Sequence, residues 1–194
     1  MESFLNFLNN LDKKLPPFST PAWNELTTAL SLKSYQKKEP LLLEGQLCNY
    51  LFYIESGFCK TCHNVEGKII NCLFYFENQI VTDIQSFGGD SLATKSIIAC
   101  SPMRVTRIHK APLFKAAAEF AEIDAIGRAC IRQFAARQDE FSALLQTRDA
   151  AGCLAYLEDH HPEFIQRVPN YELASFLGVS RETLSRIRNR RRPG

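Results

Sequence analysis

The chain has 194 residues and a mass of 22.0 kDa, enough to bury a sizeable core as one large domain or two small ones. Hydrophobic residues make up 45% and charged residues 23%, which excludes the disordered and fibrous classes. No run reaches the roughly 18 apolar residues of a membrane helix. The net charge is +2, but residues 165–194 hold seven arginines against two glutamates, a local net of +5 that leaves −3 for the rest. A mildly acidic body with a basic end points to contact with nucleic acid or an anionic surface there. The segment from Met1 to Leu11 has no cationic lead and is broken by Glu2 and by asparagines, unlike a signal peptide. The seven cysteines form an odd set without framework spacing, which argues reduced thiols and a cytoplasmic location.

In chain order, Phe4, Phe7, Leu8, Leu11 and Leu15 fall at helical spacing. Thr20-Pro21 has the form of an N-cap followed by proline in the first turn, with Trp23, Leu26 and Leu30 on one face. From about residue 33 to 110 the pattern becomes one of short apolar runs: Leu41–Leu43, Tyr50–Ile54, Ile69–Phe76, Lys95–Cys100 and Met103–Ile108. Turn residues separate them, which predicts a β-sandwich or barrel-like unit. Beyond Pro112 the period is helical again. Phe120, Ile123, Gly127, Cys130, Ile131, Phe134, Phe141 and Leu144 form a seam on a helix of about 25 to 35 residues, well above the mean length. A long helix with a narrow apolar stripe predicts a dimer seam, on which Cys130 could face its twofold mate.

Residues 170–189 have the pattern of a helix-turn-helix. Asn170, after Pro169, is placed to cap the first helix; Ala174 is small where the second helix crosses; Gly178 suits a left-handed turn. Ser180 is placed to cap the second helix, and Leu184 and Ile187 point inward with Leu173, Phe176, Leu177 and Val179 as a mini-core. Arg181, Glu182, Ser185, Arg186 and Asn189 remain outside, where a recognition helix meets base edges in the major groove. Arginine can hold guanine O6 and N7 through two hydrogen bonds, and glutamate can accept from cytosine N4. Ser180, Thr183, Ser185, Arg188, Arg190 and Arg191 are candidates for the DNA backbone, which gives affinity without sequence.

With these motifs the sequence resembles the Crp/Fnr (catabolite-activator-like) family of transcription regulators over nearly its whole length. The most specific part is Ser180-Arg181-Glu182-Thr183-Leu184-Ser185-Arg186-Ile187; Asn49 to Gly57, preceded by Leu43-Glu44-Gly45, resembles a strand and turn of the cyclic-nucleotide-binding roll. The resemblance implies an α+β fold: an N-terminal β-roll of jelly-roll type (1–118), a central dimerisation helix (119–147) and a C-terminal helix-turn-helix domain (148–194). It also implies Arg181, Glu182 and Arg186 as base readers. Its partners would be double-stranded DNA with a pseudo-palindromic operator, a second copy of the chain, and RNA polymerase, with no membrane.

Two departures bear on this. The family's nucleotide cassette has a Gly-Glu pair for the ribose hydroxyl and an Arg-Ser pair for the cyclic phosphate. Here the first aligns with Thr82-Asp83 and the second with Thr94-Lys95, followed by Ser96. Asp83 is one methylene shorter, and Lys95 lacks arginine's planar fork. These five residues are the candidate ligand pocket, either for a ligand other than cAMP or cGMP or for no ligand at all. In addition, the sequence ends at Gly194 without the family's usual β-wing, whose backbone contacts the arginine run would replace.

Cys59-Lys60-Thr61-Cys62 is a CxxC, with Cys72 on the expected partner strand. Residues three apart on a strand face opposite sides, so the pair is read as small buried residues and no iron–sulfur cluster is expected. His160-His161, before Pro162, read as a mostly solvated pair in an interdomain turn, and His63 and His109 lack spaced partners, so no metal is expected. With no phosphate-cradling glycine loop, nucleophile elbow or HExxH, no catalytic residue is assigned and no enzyme activity is expected. The alternative is a cyclic-nucleotide-like sensor module whose basic tail binds a protein or an anionic membrane. A membrane helix needs an open apolar face, and here Leu184 and Ile187 are assigned to the mini-core.

Overall fold

The computed structural model describes residues 2–11 and 18–191. Helices α1 (Glu2–Leu11) and α2 (Thr20–Thr28) lead into strands β1 (Leu30–Tyr35), β2 (Pro40–Leu42), β3 (Tyr50–Ser56), β4 (Cys59–Val65), β5 (Lys68–Tyr75) and β6 (Ile80–Val81). A short helix α3 (Ile84–Gly88) precedes β7 (Ser96–Ala99) and β8 (Met103–His109). The strands form two antiparallel four-stranded sheets, β1-β8-β3-β6 and β2-β7-β4-β5. Bulky residues such as Phe52, Ile54, Leu73, Ile97 and Val105 fill the space between them. The turn at Gly57 requires glycine: φ is +87°, and a Cβ would stand 2.5 Å from both Met103 Cβ and the Pro102 carbonyl.

Phe4 and Leu8 of α1 are buried, with the Phe4 ring 5.2 Å from that of Tyr53 on β3. Leu15 lies outside the described residues. The cap of α2 is Ser19 rather than Thr20: Ser19 has an extended backbone and its Oγ accepts from the Ala22 amide, whereas Thr20 is already helical.

After the roll come α4 (Lys110–Glu119), α5 (Ala121–Thr147), α6 (Ala150–His160), α7 (Pro162–Arg167), α8 (Asn170–Phe176) and α9 (Arg181–Arg191). The long helix expected from periodicity is α5, with 27 residues. Its seam divides differently from the expectation. Ile123 packs under α1 and α2, while Phe141 and Leu144 are buried in a core shared by the roll and the C-terminal helices. These three side chains are therefore buried within the protomer. Ile131, 52% exposed, and Leu145, 38% exposed, are the large apolar residues α5 leaves outside.

The C-terminal helices share their core with the roll. Phe74 of β5, Phe141 of α5, Phe164 of α7 and Phe176 of α8 pack mostly edge to face, with ring centroids 5.3 to 6.2 Å apart. The mini-core expected for the helix-turn-helix is thus continuous with the main one. Among the described residues no helix is long and apolar enough to cross a membrane.

Candidate nucleic-acid interface and ligand cavity

Helices α8 and α9 are joined by Leu177–Ser180, and the reversal rests on Gly178 at φ +67°. Ser180 Oγ accepts the Thr183 amide at 3.1 Å, which caps α9. Leu184 is fully buried and Ile187 packs partly against the same core. Arg181, Glu182, Ser185, Arg186, Asn189 and Arg190 are exposed on the outer side of α9. Arg186 donates to Thr183 Oγ1 at 3.2 Å, so the base of this face is partly ordered. The Glu182 carboxyl is held below its usual range by backbone amides and the Ser180 hydroxyl, as befits an acid in the first turn of a helix.

Two residues serve differently from the expectation. Asn170 does not cap α8, whose cap is Pro169 without a side-chain bond; the side chain of Asn170 instead accepts from Arg188. Arg188 is accordingly half-buried and engaged within the protein, unlike exposed Arg190. The side chain of Arg191 and residue Arg192 lie outside the described residues.

The pocket expected beside the cassette residues exists as a cavity of about 210 Å³. Thr82, Asp83, Thr94 and Lys95 line it, but Ser96 does not; its Oγ accepts the Glu44 amide at 3.0 Å. Asp83 is the N-cap of α3. Its Oδ1 accepts the Ser86 amide at 3.0 Å, and its Oδ2 accepts the Thr94 amide at 2.9 Å and hydroxyl at 3.2 Å. The carboxylate that aligns with a ribose contact is therefore spent on holding α3 and the segment after it.

Sequence reasoning missed the cavity's far wall. Tyr75 of β5 and Phe134 and Gln138 of α5 complete it. Gln138 donates to the Tyr75 hydroxyl at 2.5 Å, and the Phe134 ring stacks on that of Tyr75. Burial pushes the Tyr75 phenol up, so it stays neutral. Phe134, expected on the dimer seam, thus also forms a cavity wall.

The CxxC lies within β4, whose register with β7 runs unbroken from Cys59 to Cys62; the extra residue at the shift opposite β5 is Cys72. Cys59 and Cys62 are both buried because both faces of this strand are covered, and burial raises both thiols. Among the described residues no group of three or more His, Cys, Asp or Glu is placed to hold a metal.

His161 is not solvated as expected of a loop histidine. Its Nε2 lies 2.7 Å from Glu140 Oε1, and Tyr156 donates to the same carboxylate, so this cluster ties α5 to α6 and α7. Burial raises the Glu140 carboxyl, but the hydrogen bonds from His161 and Tyr156 outweigh it and the net shift is down. Glu77 is likewise lowered: burial opposes, while Arg167 and the Gly57 amide prevail. A depressed folded value means that both groups stabilise the fold above the unfolded carboxylate range, about pH 4.3 for Glu. That stabilisation is lost as pH falls through the folded values. Urea unfolding should give a midpoint that drops on acidification below about pH 4.3, with a shallower drop in a Glu77→Gln/Glu140→Gln protein.

Residues 32–120 match the family model of the cyclic nucleotide-binding domain. No curated protein matches the sequence. Among solved structures, FixK2 from Bradyrhizobium japonicum is similar with a TM-score of 0.68 and 16% identity over 83% of each chain. The regulator CLP of Xanthomonas campestris, described as c-di-GMP responsive and as linking cell–cell signalling to virulence gene expression, gives 0.67 and 16% identity over 89% of this chain and 91% of its own. The catabolite activator protein of Thermus thermophilus gives 0.55 and 16% identity over 95% of this chain and 85% of its own. At these identities the likeness is one of fold, and it extends through both the roll and the C-terminal helices.

Proposed function

We propose that this chain, whose fold is that of the Crp/Fnr regulators, is a dimeric, sequence-specific DNA-binding transcription regulator that works in the cytoplasm. The observation that carries this reading is the outer face of α9: a capped helix, inward Leu184, and exposed Arg181, Glu182 and Arg186 near its N-terminal end. In this reading those three side chains contact bases. Ser180, Thr183, Ser185, Arg190 and Arg191 contact phosphates, with Arg188 reaching them only if it leaves Asn170.

The functional division is roll (1–118), dimer helix (119–147) and reading head (148–194). The dimer is drawn from the residues α5 leaves outside, with Ile131, Ala135, Ser142 and Leu145 at heptad-like steps. A signal in the roll would shift the population between two packings of α5 and so re-space two recognition helices. RNA polymerase is a further partner of this reading. Spending Asp83 on α3 supports an effector other than cAMP or cGMP.

The test is in vitro selection of random duplexes by the purified, reduced protein, with co-sedimentation on anionic vesicles in parallel. The expected result is a two-fold-symmetric motif with half-site centres about 10–10.5 bp apart, and no vesicle binding. Vesicle binding without salt-sensitive DNA binding would overturn it.

A further inference from the structure

Two hollows meet at the long helix. One is the polar cavity of about 210 Å³ described above. The other, about 140 Å³, lies among α1, α2, α4 and α5, and its walls are almost wholly carbon, including Leu8, Phe18, Leu26, Leu113, Ile126 and Gly127. Thr82, Ile84 and Phe134 line both. This hollow opens in part to the surface, where exposed Ile131 and Phe114 stand on its wall, so much of its carbon lining has no partner. An apolar hollow sharing three wall residues with a polar one has the shape and chemistry for a molecule with two unlike ends.

The polar end is set up for an acceptor. The Asp83 carboxylate is already satisfied by Ser86 and Thr94. The groups that remain along the wall include Lys95 and Gln85, while the Gln138 amide is already given to the Tyr75 hydroxyl. An ammonium with an amide beside it suits a carboxylate head, whereas an isolated lysine does not offer the fork that a cyclic phosphate takes from arginine.

We propose that the two hollows are one site for a small amphipathic carboxylic acid. Its head lies near Lys95 and Gln85, and its alkyl tail passes Phe134 to lie against Gly127 and Leu113. Helix α5 then touches both ends, through Gln138 at the head and Gly127 at the tail, and the same helix carries Phe141 into the C-terminal core. This inference rests on the reading of the roll as a sensor; the test contains no DNA, so it can fail while base reading stands, or succeed where base reading fails.

The test is calorimetric titration of the reduced, full-length protein with octanoate, octan-1-ol, acetate and cAMP, below any micelle concentration. Trp23, the single tryptophan, has its ring 5.9 Å from that of Phe18 on the tail's wall and gives a local fluorescence readout. Octanoate should bind once per chain. Octan-1-ol should bind at least about tenfold more weakly and acetate not measurably, since the tail supplies the affinity and the charge directs the head. Lys95→Met should weaken octanoate about tenfold and leave octan-1-ol unchanged. A Cβ on Gly127 meets open space, so Gly127→Leu can fill the tail hollow without a backbone clash and should abolish both. Absence of saturable octanoate binding, its full retention in Gly127→Leu, or cAMP binding that octanoate does not displace would each overturn the assignment.

Discussion

Replacing Glu172 with alanine should destabilise the protein by about 3–5 kcal/mol, the effect of leaving one member of a buried ion pair alone. Glu172 lies on α8 and its Oε2 is 2.5 Å from Lys60 Nζ on β4, with side-chain exposures of 14% and 10%. Asn71 of β5 donates from the same Nδ2 to that carboxylate at 2.6 Å and to the Glu172 carbonyl at 2.9 Å. Ser175 accepts the Asn71 amide at 3.2 Å. Together these bonds fix α8 to the roll beside the phenylalanine cluster. With the carboxylate gone, Lys60 is left without its counter-charge in a place largely closed to water.

Lys60→Met/Glu172→Leu should recover much of the loss, because it removes both charges at once. Urea unfolding measures the stabilities, and small-angle scattering shows whether the C-terminal helices leave the roll. A loss within about 1 kcal/mol in Glu172→Ala, the range of an exposed pair, would mean that water reaches this contact in solution.

The helix pair α8–α9 was readable because its signals are local. Ser180 caps α9, Gly178 is left-handed and Leu184 is buried, each a consequence of residues within one or two turns. The long helix was readable from its period, but the ownership of its apolar residues was not. Phe141 packs on Phe164 and Phe176, partners that no heptad count reveals. The Lys60–Glu172 contact spans 112 residues, and each charge taken alone reads as solvated. Within the cavity, Asp83 carried a signal that alignment to a nucleotide cassette obscured: an acid whose carboxylate receives the amide three residues on is a helix cap. Ser96 begins β7, an inner strand, and its side chain accepts the Glu44 amide instead of lining the cavity, a contact with no local signal. The burial of both CxxC cysteines followed from reading them as strand residues, whereas the extra residue at Cys72 depends on how β5 pairs with β4 and has no local signal.

Arg181→Ala and Arg186→Ala should each weaken binding to the selected operator by about 1–3 kcal/mol and relax preference at one base pair per half-site. Both side chains are exposed, with Leu184 buried behind them, so neither change disturbs the fold. Arg190→Ala, also exposed, should instead weaken all duplexes alike and lower the salt dependence. The most direct measurement is anisotropy titration of wild type and Arg181→Ala at one salt concentration, on the operator and on a scrambled duplex. If α9 reads bases, the operator-to-scrambled affinity ratio falls about tenfold in Arg181→Ala, while scrambled binding barely moves. Equal weakening on both duplexes would contradict base reading by this helix.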